Sequence, residues 1–150
     1  MRALVQRVSQ SEVKVDKEVV GRIKNGLCIF IGIAELDDDK DINYLVDKIV
    51  NLRIFSNPEG KFDLSAVDIN AELLVISQFT LYANTNKGRR PSFIRSANPE
   101  KAKTLFKDVI SRFKGTGLKV ETGKFQHHMN VSLINDGPVT IFIDSNNTEI

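Results

Sequence analysis

Residues 27–33 form an uninterrupted apolar run, LCIFIGI, which restricts the possible folds more than any other segment of the chain. The run is rich in isoleucine, a turn-forming Asn25-Gly26 pair precedes it, and an acidic stretch follows it. A short apolar run without alternation is typical of a strand that is covered on both faces. The sequence therefore predicts a central strand with further chain packed on each side of the sheet.

Two segments with helical spacing can supply that cover. The first extends from Asp39 to Arg53, and the acidic residues before it favour a helix start through capping and the helix dipole. The second begins after Asn98, a capping residue followed by Pro99 at the first helical position, and ends at Gly115. The buried stripes predicted by the spacing are Ile42, Leu45, Val46, Ile49 and Leu52 in the first helix, and Ala102, Leu105, Phe106, Val109 and Phe113 in the second.

The remaining regular segments have β character. Their alternating or apolar patterns are bounded by polar turn residues such as Asp16-Lys17. Many strands and two helices favour an α+β fold, with a mixed, mostly antiparallel sheet or partly closed barrel covered by the helices. The predicted strands, besides the central one, are residues 3–8, 11–15, 18–23, 72–83, 118–122, 129–135 and 139–144.

Length and composition are those of one domain. The chain has 150 residues, of which 41% are hydrophobic and 27% are charged. No run approaches the roughly 20 apolar residues of a membrane span, and the first residues become polar too early for a signal peptide. We therefore expect a single domain over residues 1–150, a cytoplasmic location and no membrane partner. The single cysteine, Cys28, lies in the apolar run, where a buried thiol is a better interpretation than a nucleophile.

The net charge of +2 conceals an uneven distribution. Residues 85–125 contain eleven Lys or Arg residues and three acids, a net charge of +8, whereas the rest of the chain contains ten bases and sixteen acids, a net charge of −6. A basic segment on an otherwise acidic protein fits a partner with a phosphate backbone, because its cations displace condensed counterions. A solvated helix face explains the same charges, and charge alone leaves both interpretations open.

Three polar residues interrupt the apolar strand that starts at Leu73. They lie in the run Ser77-Gln78-Phe79-Thr80, where hydroxyls and backbone N–H groups could receive a developing oxyanion or position a ligand. A strand that simply leaves the core would look the same, its hydroxyls bonded to nearby backbone. No base adjoins Thr80 in the sequence, although a nucleophilic hydroxyl needs one.

Asn135-Asp136-Gly137-Pro138 separates two β segments. These residue types predict a turn, and a plain hairpin is the ordinary interpretation. A cis Gly137-Pro138 bond would instead direct consecutive carbonyl oxygens the same way, as a rigid acceptor pair for an ammonium group.

His127 and His128 are the only histidines in the chain. Adjacent residues on a strand point to opposite faces, and no cysteine or second histidine cluster completes a ligand set. The sequence thus predicts no metal and no other cofactor.

Three motifs taken together resemble the D-aminoacyl-tRNA deacylase family. They are Ser77 to Leu81 (SQFTL), Lys87 to Phe93 (KGRRPSF) and Val131 to Thr140 (VSLINDGPVT). The similarity extends over the whole chain and includes ALVQRV at residues 3–8 and RIFS at residues 53–56. Long motifs in the same order and spacing are far more specific than any single one.

The resemblance implies a homodimer that hydrolyses the ester at the aminoacylated 3′ end of tRNA. The Gly137-Pro138 bond is expected to be cis and to insert into the active site of the other subunit, with Arg7 holding it in place. Ser77, Gln78, Phe79 and Thr80 would line the pocket as the catalytic segment, with Phe125 and Met129 as its wall. The basic loop residues Lys87, Arg89 and Arg90 are then candidates for tRNA contact.

The resemblance also implies how such a site selects its substrate. Main-chain carbonyls of Gly137 and Pro138 would leave no space for an L side chain, whereas N–H groups around Phe79 would face the scissile carbonyl. The 2′-hydroxyl of the terminal adenosine would help to activate water. Thr80 is then expected to position groups, although a nucleophilic Thr80 is also compatible with the family.

One segment departs from the family pattern. The family usually has Phe-Gly-Ala-x-Met, whereas this chain has Phe125-Gln126-His127-His128-Met129. Phe125 and Met129 match, but Gln126 and His127 are larger and polar, so the pocket shape and the binding of the adenosine are expected to differ here.

Two other functions would use parts of the same sequence. A non-catalytic RNA-binding domain would use the basic segment. This sequence, however, is expected to lack the exposed aromatic residues on which proteins that bind single-stranded RNA stack the bases. An amidase or esterase with a threonine nucleophile would need no basic surface. Release of a free amino acid from D-aminoacyl-tRNA separates these alternatives from the deacylase.

Overall fold

A computed structural model describes residues 1–146 and contains, within that range, eight strands, two α-helices and one 3₁₀ helix. None of these helices is long and apolar enough to cross a membrane. In chain order the elements are β1 (Arg2–Val15), β2 (Glu18–Ile23), β3 (Gly26–Gly32), α1 (Asp39–Asn51), β4 (Phe55–Ser56), β5 (Phe62–Leu64), β6 (Glu72–Ser77), the 3₁₀ helix (Phe79–Tyr82), α2 (Pro99–Lys114), β7 (Val120–Thr122) and β8 (Asn130–Asp144).

The main sheet is mixed and mostly antiparallel. Its strand order is β2-β1-β3-β6-β7, and β8 also pairs with β1. The β1 pairings are antiparallel, whereas β3-β6 and β6-β7 are parallel, and β4 and β5 form a separate antiparallel pair. This architecture confirms the predicted α+β class.

Strand β1 organises the sheet because it pairs along both of its edges. One edge pairs with β3 over Arg2–Val8 and then with β2 over Ser11–Val15, while the other edge pairs with β8. The sequence-based division into strands at residues 3–8 and 11–15 is therefore wrong. Ser9 and Gln10 are polar because they are exposed where β1 changes partner, not because the strand ends there.

The sheet curls until it nearly closes, because β2 comes close to β6 and β7. Gly21 lies at this approach, and a Cβ atom on it would be 2.8 Å from the carbonyl oxygen of Thr122 and 3.3 Å from a methyl of Leu74. Any side chain would push β2 away from β7. A glycine at this position therefore permits the partly closed barrel that the sequence predicts.

Two hydrophobic clusters cover the two faces of β3. Leu27, Ile29 and Ile31 belong to the larger cluster, which lies between the sheet and the helices, and Cys28 belongs to the smaller cluster on the other face. The alternate residues of one apolar run thus enter different clusters, as expected for a strand covered twice. The prediction of a buried central strand is confirmed.

Both helices start where their caps predict. Asp38 caps α1 through a capping box, in which its side chain accepts from Lys40 N and Asp41 bonds back to the N–H of Asp38. Asn98 caps α2 by accepting from Lys101 N, and Pro99 is its first residue. The second helix ends at Lys114, before Gly115 as predicted, whereas α1 ends at Asn51, two residues before the predicted Arg53.

The residues predicted as strands at 129–135 and 139–144 form one strand, β8, which pairs with β1 along most of its length. A hairpin between them is therefore wrong. Asn135 pairs with Val8 and Thr140 pairs with Gln6, so residues 136–139 bulge opposite the single residue Arg7. Turn-forming residues here make a bulge because both flanking segments bond to the same partner strand.

Shortening Ile29 tests the double coverage of β3. Ile29→Ala is expected to lower the free energy of unfolding by about 2 to 5 kcal/mol because it leaves a cavity, and Ile29→Val by about 0.5 to 1.5 kcal/mol. Leu36→Ala is the control, because Leu36 is 93% exposed and its loss should change stability by less than about 0.5 kcal/mol. Urea unfolding at one protein concentration measures all three. Equal effects of Ile29→Ala and Leu36→Ala would contradict the assigned core.

Candidate active site

The polar run after β6 lies where the sheet ends. Gln78 N still donates to Ile31 O at 2.7 Å, and the next residues wind into the 3₁₀ helix. The predicted strand over residues 72–83 is therefore wrong beyond Ser77. Because its partner β3 ends at Gly32, the chain has no further strand to bond to and closes a helical turn instead.

A cavity of about 620 Å³ opens beside this turn. Its lining includes the polar Ser77 and Gln78 and the apolar Phe125 and Met129, so the structure brings most of the predicted pocket residues together. The predicted Thr80 does not line the cavity. The complete lining is Ile33, Ile76, Ser77, Gln78, Phe79, Ser96, Ala97, Pro99, Ala102, Phe125, Gln126, His127, His128, Met129 and Val131.

The backbone at Phe79 and Thr80 offers hydrogen-bond donors. Leu81 N donates to Gln78 O and Ala83 N donates to Thr80 O, whereas the N–H groups of Phe79 and Thr80 have no acceptor within residues 1–146. Phe79 also contributes to the cavity wall, with 56% of its surface exposed. Free backbone donors at a cavity wall can bind a carbonyl oxygen as it gains negative charge.

Thr80 has an amide neighbour and no base. Its hydroxyl accepts a hydrogen bond from the side-chain nitrogen of Gln78. Among the described residues no carboxylate, imidazole or amine bonds to the hydroxyl of Thr80 or of Ser77. A hydroxyl without a base attacks carbonyl carbon poorly, so the arrangement fits a positioning role for Thr80 better than a nucleophilic one.

The segment that departs from the family pattern is a turn in the cavity wall. Phe125 packs against Phe106 of α2 with ring centroids 5.9 Å apart, and Gln126 has a φ of 61°. A positive φ is unusual for a residue with a side chain, and glycine adopts it freely. The glycine of the usual pattern would therefore suit this backbone, whereas this chain places a polar side chain there.

His127 and His128 precede β8 and both line the cavity, so the expectation that a strand sends them to opposite faces is wrong. The Nδ1 atom of His127 lies 3.0 Å from Phe125 O. Because a carbonyl only accepts, this hydrogen bond requires Nδ1 of His127 to be the donor. Within residues 1–146 no three metal-binding side chains form a group.

Arg7 anchors the bulge of β8. This buried side chain donates to Asp136 O at 2.8 Å and to Ile54 O at 2.6 Å. The Gly137-Pro138 peptide bond is cis, and Gly137 has a φ of 149°, which favours glycine. A Cβ atom on Gly137 would lie 2.6 Å from a methyl of Val139, so the position also has no space for a side chain.

The bulge presents Gly137 and Pro138 to solvent while Val139 is buried behind them. It lies beside Arg7, which is in register with Leu27, whereas Ser77 is in register with Ile31. Four residues of extended strand separate the two levels, about 13 Å. Neither Arg7 nor Gly137 nor Pro138 lines the cavity of its own chain.

The basic loop residues Lys87, Arg89 and Arg90 are exposed. Paired backbone bonds of 2.8 and 3.0 Å between Asn84 and Ser92 close this loop. Phe93 follows the loop and packs edge-on against Phe79, with ring centroids 5.0 Å apart. The loop is thereby fixed next to the cavity rim without contributing to the cavity wall.

Sequence reasoning missed the contribution of the segment around the start of α2. Ser96, Ala97 and Pro99 line the cavity, and the Ser96 hydroxyl donates to Phe79 O at 3.2 Å. Small residues in a loop carry no recognisable pattern, so only the packing of the α2 start against the 3₁₀ helix identifies them. Cys28 has no part in the site, since burial raises its pKa to about 11 and keeps the thiol protonated at neutral pH.

Comparison with known proteins gives concordant results. Residues 4–144 match the family described as D-Tyr-tRNA(Tyr) deacylase. The chain is 52% identical over 145 residues to the D-aminoacyl-tRNA deacylase of Thermosipho africanus, covering 97% of each chain. It is 53% identical over 146 residues to the D-aminoacyl-tRNA deacylase of Halothermothrix orenii, covering 97% of this chain and 98% of the relative.

Solved structures share the architecture. A c-Myc DNA unwinding element binding protein superimposes with a TM-score of 0.91 and 36% identity, over 96% of this chain and 98% of that protein. A probable eukaryotic D-amino acid tRNA deacylase superimposes with a TM-score of 0.81 over 95% of this chain and 97% of its own. Its identity of 17% makes it evidence for the fold alone.

Proposed function

This chain belongs to the D-Tyr-tRNA(Tyr) deacylase family, and we propose that it hydrolyses the ester between a D-amino acid and the 3′ end of a tRNA. The observation that carries the proposal is the cavity after β6, which Ser77, Gln78 and Phe79 line together with Phe125 and Met129. Relatives about half identical over 97% of the chain are named for this activity. The whole chain, residues 1–150, would act as one deacylase domain in the cytoplasm.

The cavity suits an aminoacyl-adenosine. Its volume of about 620 Å³ falls within the range of roughly 300 to 1,000 Å³ of small-molecule pockets. The apolar side chains of Phe125 and Met129 offer flat contact to a nucleobase, and Ser77 and Gln78 offer hydrogen bonds to the polar ester region. Gln126 and His127, in place of the small residues of the family pattern, would add polar contacts to the same ligand.

Hydrolysis would proceed without a protein base. The N–H groups of Phe79 and Thr80 would stabilise the negative charge that develops on the ester carbonyl oxygen when water adds. The 2′-hydroxyl of the terminal adenosine would help to orient and activate this water. Among residues 1–146 no base is hydrogen-bonded to the hydroxyls of Ser77 and Thr80, which supports the assignment of water activation to the substrate. Breaking the ester bond then releases the free D-amino acid and restores the 3′-hydroxyl.

Selection against L-amino acids would come from a second copy of the chain. Gly137 and Pro138 are exposed on a bulge that does not reach the cavity of its own chain, so they can act at a cavity only across a dimer interface. Strand β8 pairs with β1 alone within residues 1–146, and its other edge, with Ile134 and Phe142 each 53% exposed, offers a surface for a homodimer. The Gly-cisPro carbonyl oxygens of one subunit would then exclude an L side chain in the other.

The RNA would be bound by cations beside the cavity. Lys87, Arg89 and Arg90 are exposed in a closed loop, and Phe93 connects that loop to the cavity wall at Phe79. Contacts to phosphates from this loop would orient the 3′ end of the tRNA without reading its sequence.

Comparing three esters tests the proposed function. D-alanyl-tRNA is expected to be hydrolysed rapidly and L-alanyl-tRNA very slowly, because only the L methyl group would collide with the carbonyls of Gly137 and Pro138. Glycyl-tRNA has no side chain to exclude, and one methyl group contributes only about 1 to 3 kcal/mol to binding, so glycyl-tRNA should be hydrolysed well above the L-alanyl rate. Release of free amino acid at equal substrate concentrations measures all three.

Two outcomes of that comparison are decisive. No hydrolysis of D-alanyl-tRNA would refute the deacylase, and RNA binding alone or small-ester hydrolysis would then be examined. Hydrolysis of the D ester with glycyl-tRNA as inert as the L ester would mean that the enzyme grips the D side chain instead of excluding the L side chain.

Thr80→Ala tests the role of the hydroxyl. The variant is expected to retain at least about a tenth of the wild-type kcat, because water activation is assigned to the substrate and the backbone N–H groups remain. Gln78→Ala is the matched variant, because it removes the amide that holds the same hydroxyl. Complete loss of turnover in a folded, tRNA-binding Thr80→Ala protein, together with a trapped acyl-enzyme in the wild type, would establish a nucleophile.

Mixed dimers test the cross-subunit site. Ala102→Trp is expected to fill the cavity, and Gly137→Val to distort the bulge, so each homodimer should be inactive. In a mixed dimer the open cavity receives the intact bulge, and random mixing should restore activity to about a quarter of the wild-type sites. Activity that stays absent after mixing of folded, dimeric variants would place both elements in the same subunit's site.

A further inference from the structure

Three lysines of α2 form a row on one side of the helix. With 3.6 residues per turn, Lys103, Lys107 and Lys114 fall within an arc of about 40° and span about 16 Å along the axis. All three side chains are exposed. We refer to these three residues as the lysine ladder.

Helix stability does not account for the lysine ladder. Lys103 and Lys107 are four residues apart, and like charges at that spacing destabilise a helix. Within residues 1–146 none of the three makes an ion pair, and Glu100, three residues before Lys103, does not pair with it. Other lysines of the basic segment are engaged, since Lys101 donates to Glu35 O and Lys119 pairs with Glu72 at 3.0 Å.

The position of the lysine ladder relates it to the candidate active site. Pro99 and Ala102, in the first turn of α2, line the cavity, and Lys103 directly follows Ala102. The helix then continues for three further turns, so the other two lysines lie progressively further from the cavity. A polymer whose end occupies the cavity can therefore meet the three cations one after another along its length.

We propose that the lysine ladder binds backbone phosphates of the RNA that leads into the cavity. This inference rests on the proposed function, which places the 3′-terminal nucleotide in the cavity. One helical turn separates Lys103 from Lys107, a step of about 6 Å that is comparable to the spacing of successive phosphates along an RNA strand. Lys107 and Lys114 are two turns apart, about 10 Å, a step that spans about two such intervals. Lysine ammonium groups act as point charges and read no sequence, so this surface would serve every tRNA alike.

The lysine ladder thus differs in role from the cavity residues. It would hold the RNA outside the cavity and contribute to KM, and it would leave kcat unchanged because it touches no reacting atom. A substrate shortened to the terminal nucleoside would not reach it.

The test compares two triple variants with the same loss of charge. Lys103, Lys107 and Lys114 are changed to glutamine in the first, and the exposed Lys17, Lys40 and Lys61 are changed to glutamine in the control. Each protein is assayed on D-alanyl-tRNA and on D-alanyl-adenosine, and its Kd for uncharged tRNA is measured over a range of salt concentrations.

The first variant is expected to raise the KM for D-alanyl-tRNA about tenfold with little change in kcat, and to lose about 2 to 3 units from the slope of log Kd against log salt concentration. Its kinetics on D-alanyl-adenosine should equal those of the wild type. The control should retain most of the tRNA affinity and of the salt slope.

Equal effects of the two variants on tRNA binding would overturn the inference, since net charge alone would then explain them. The inference would also be overturned if neither variant changed tRNA binding. In both cases the proposed function would still stand, provided that the wild type hydrolyses D-alanyl-tRNA. If the wild type hydrolyses neither substrate, the proposed function fails, and the Kd values for uncharged tRNA still decide whether the lysine ladder binds RNA.

Discussion

The backbone pairing of β1 is the constraint on which the rest of the structure depends. Over Arg2–Val15 this strand bonds to β3 and β2 along one edge and to β8 along the other. It therefore connects the first strands of the chain to the last one. Because β2 and β3 pair with the same edge of β1, the sheet must curve, and β2 approaches β7 at Gly21. The curvature encloses the small core cluster on one face and leaves the other face for the helices.

The same pairing separates the two candidate functional elements, the β8 bulge and the cavity. The β8 bulge can form only where β1 offers one residue, Arg7, to the four residues 136–139. The cavity forms near the other end of β3, where β6 also ends and the chain turns into the 3₁₀ helix. A chain built in this way presents the Gly137-Pro138 bulge at one level of the sheet and a cavity at another, and the proposed homodimer would bring the two together.

The charged side chains lie outside the candidate active site. Within residues 1–146 the cavity wall carries no ion pair, and its polar groups are hydroxyls, amides, imidazoles and backbone N–H groups. The cations instead lie outside, in the loop that closes between Asn84 and Ser92 and along α2. Under the proposed function, the electrostatic attraction between these cations and the phosphates would hold the RNA. The shape of the cavity would decide which ester is hydrolysed.

The sequence by itself determined the elements whose signals are local. The apolar run around Ile29, the caps Asp38 and Asn98 and the spacing of both helices predicted the α+β fold, and the motifs around Ser77 and Gly137 indicated the family. Only the tertiary structure decided where strands end and what shares a cavity. Ser9 and Gln10 continue a strand and residues 79–82 leave one, because each outcome depends on which distant backbone is available for hydrogen bonding. His127 and His128 lie in the cavity wall because the turn that contains them follows Phe125, which packs against α2.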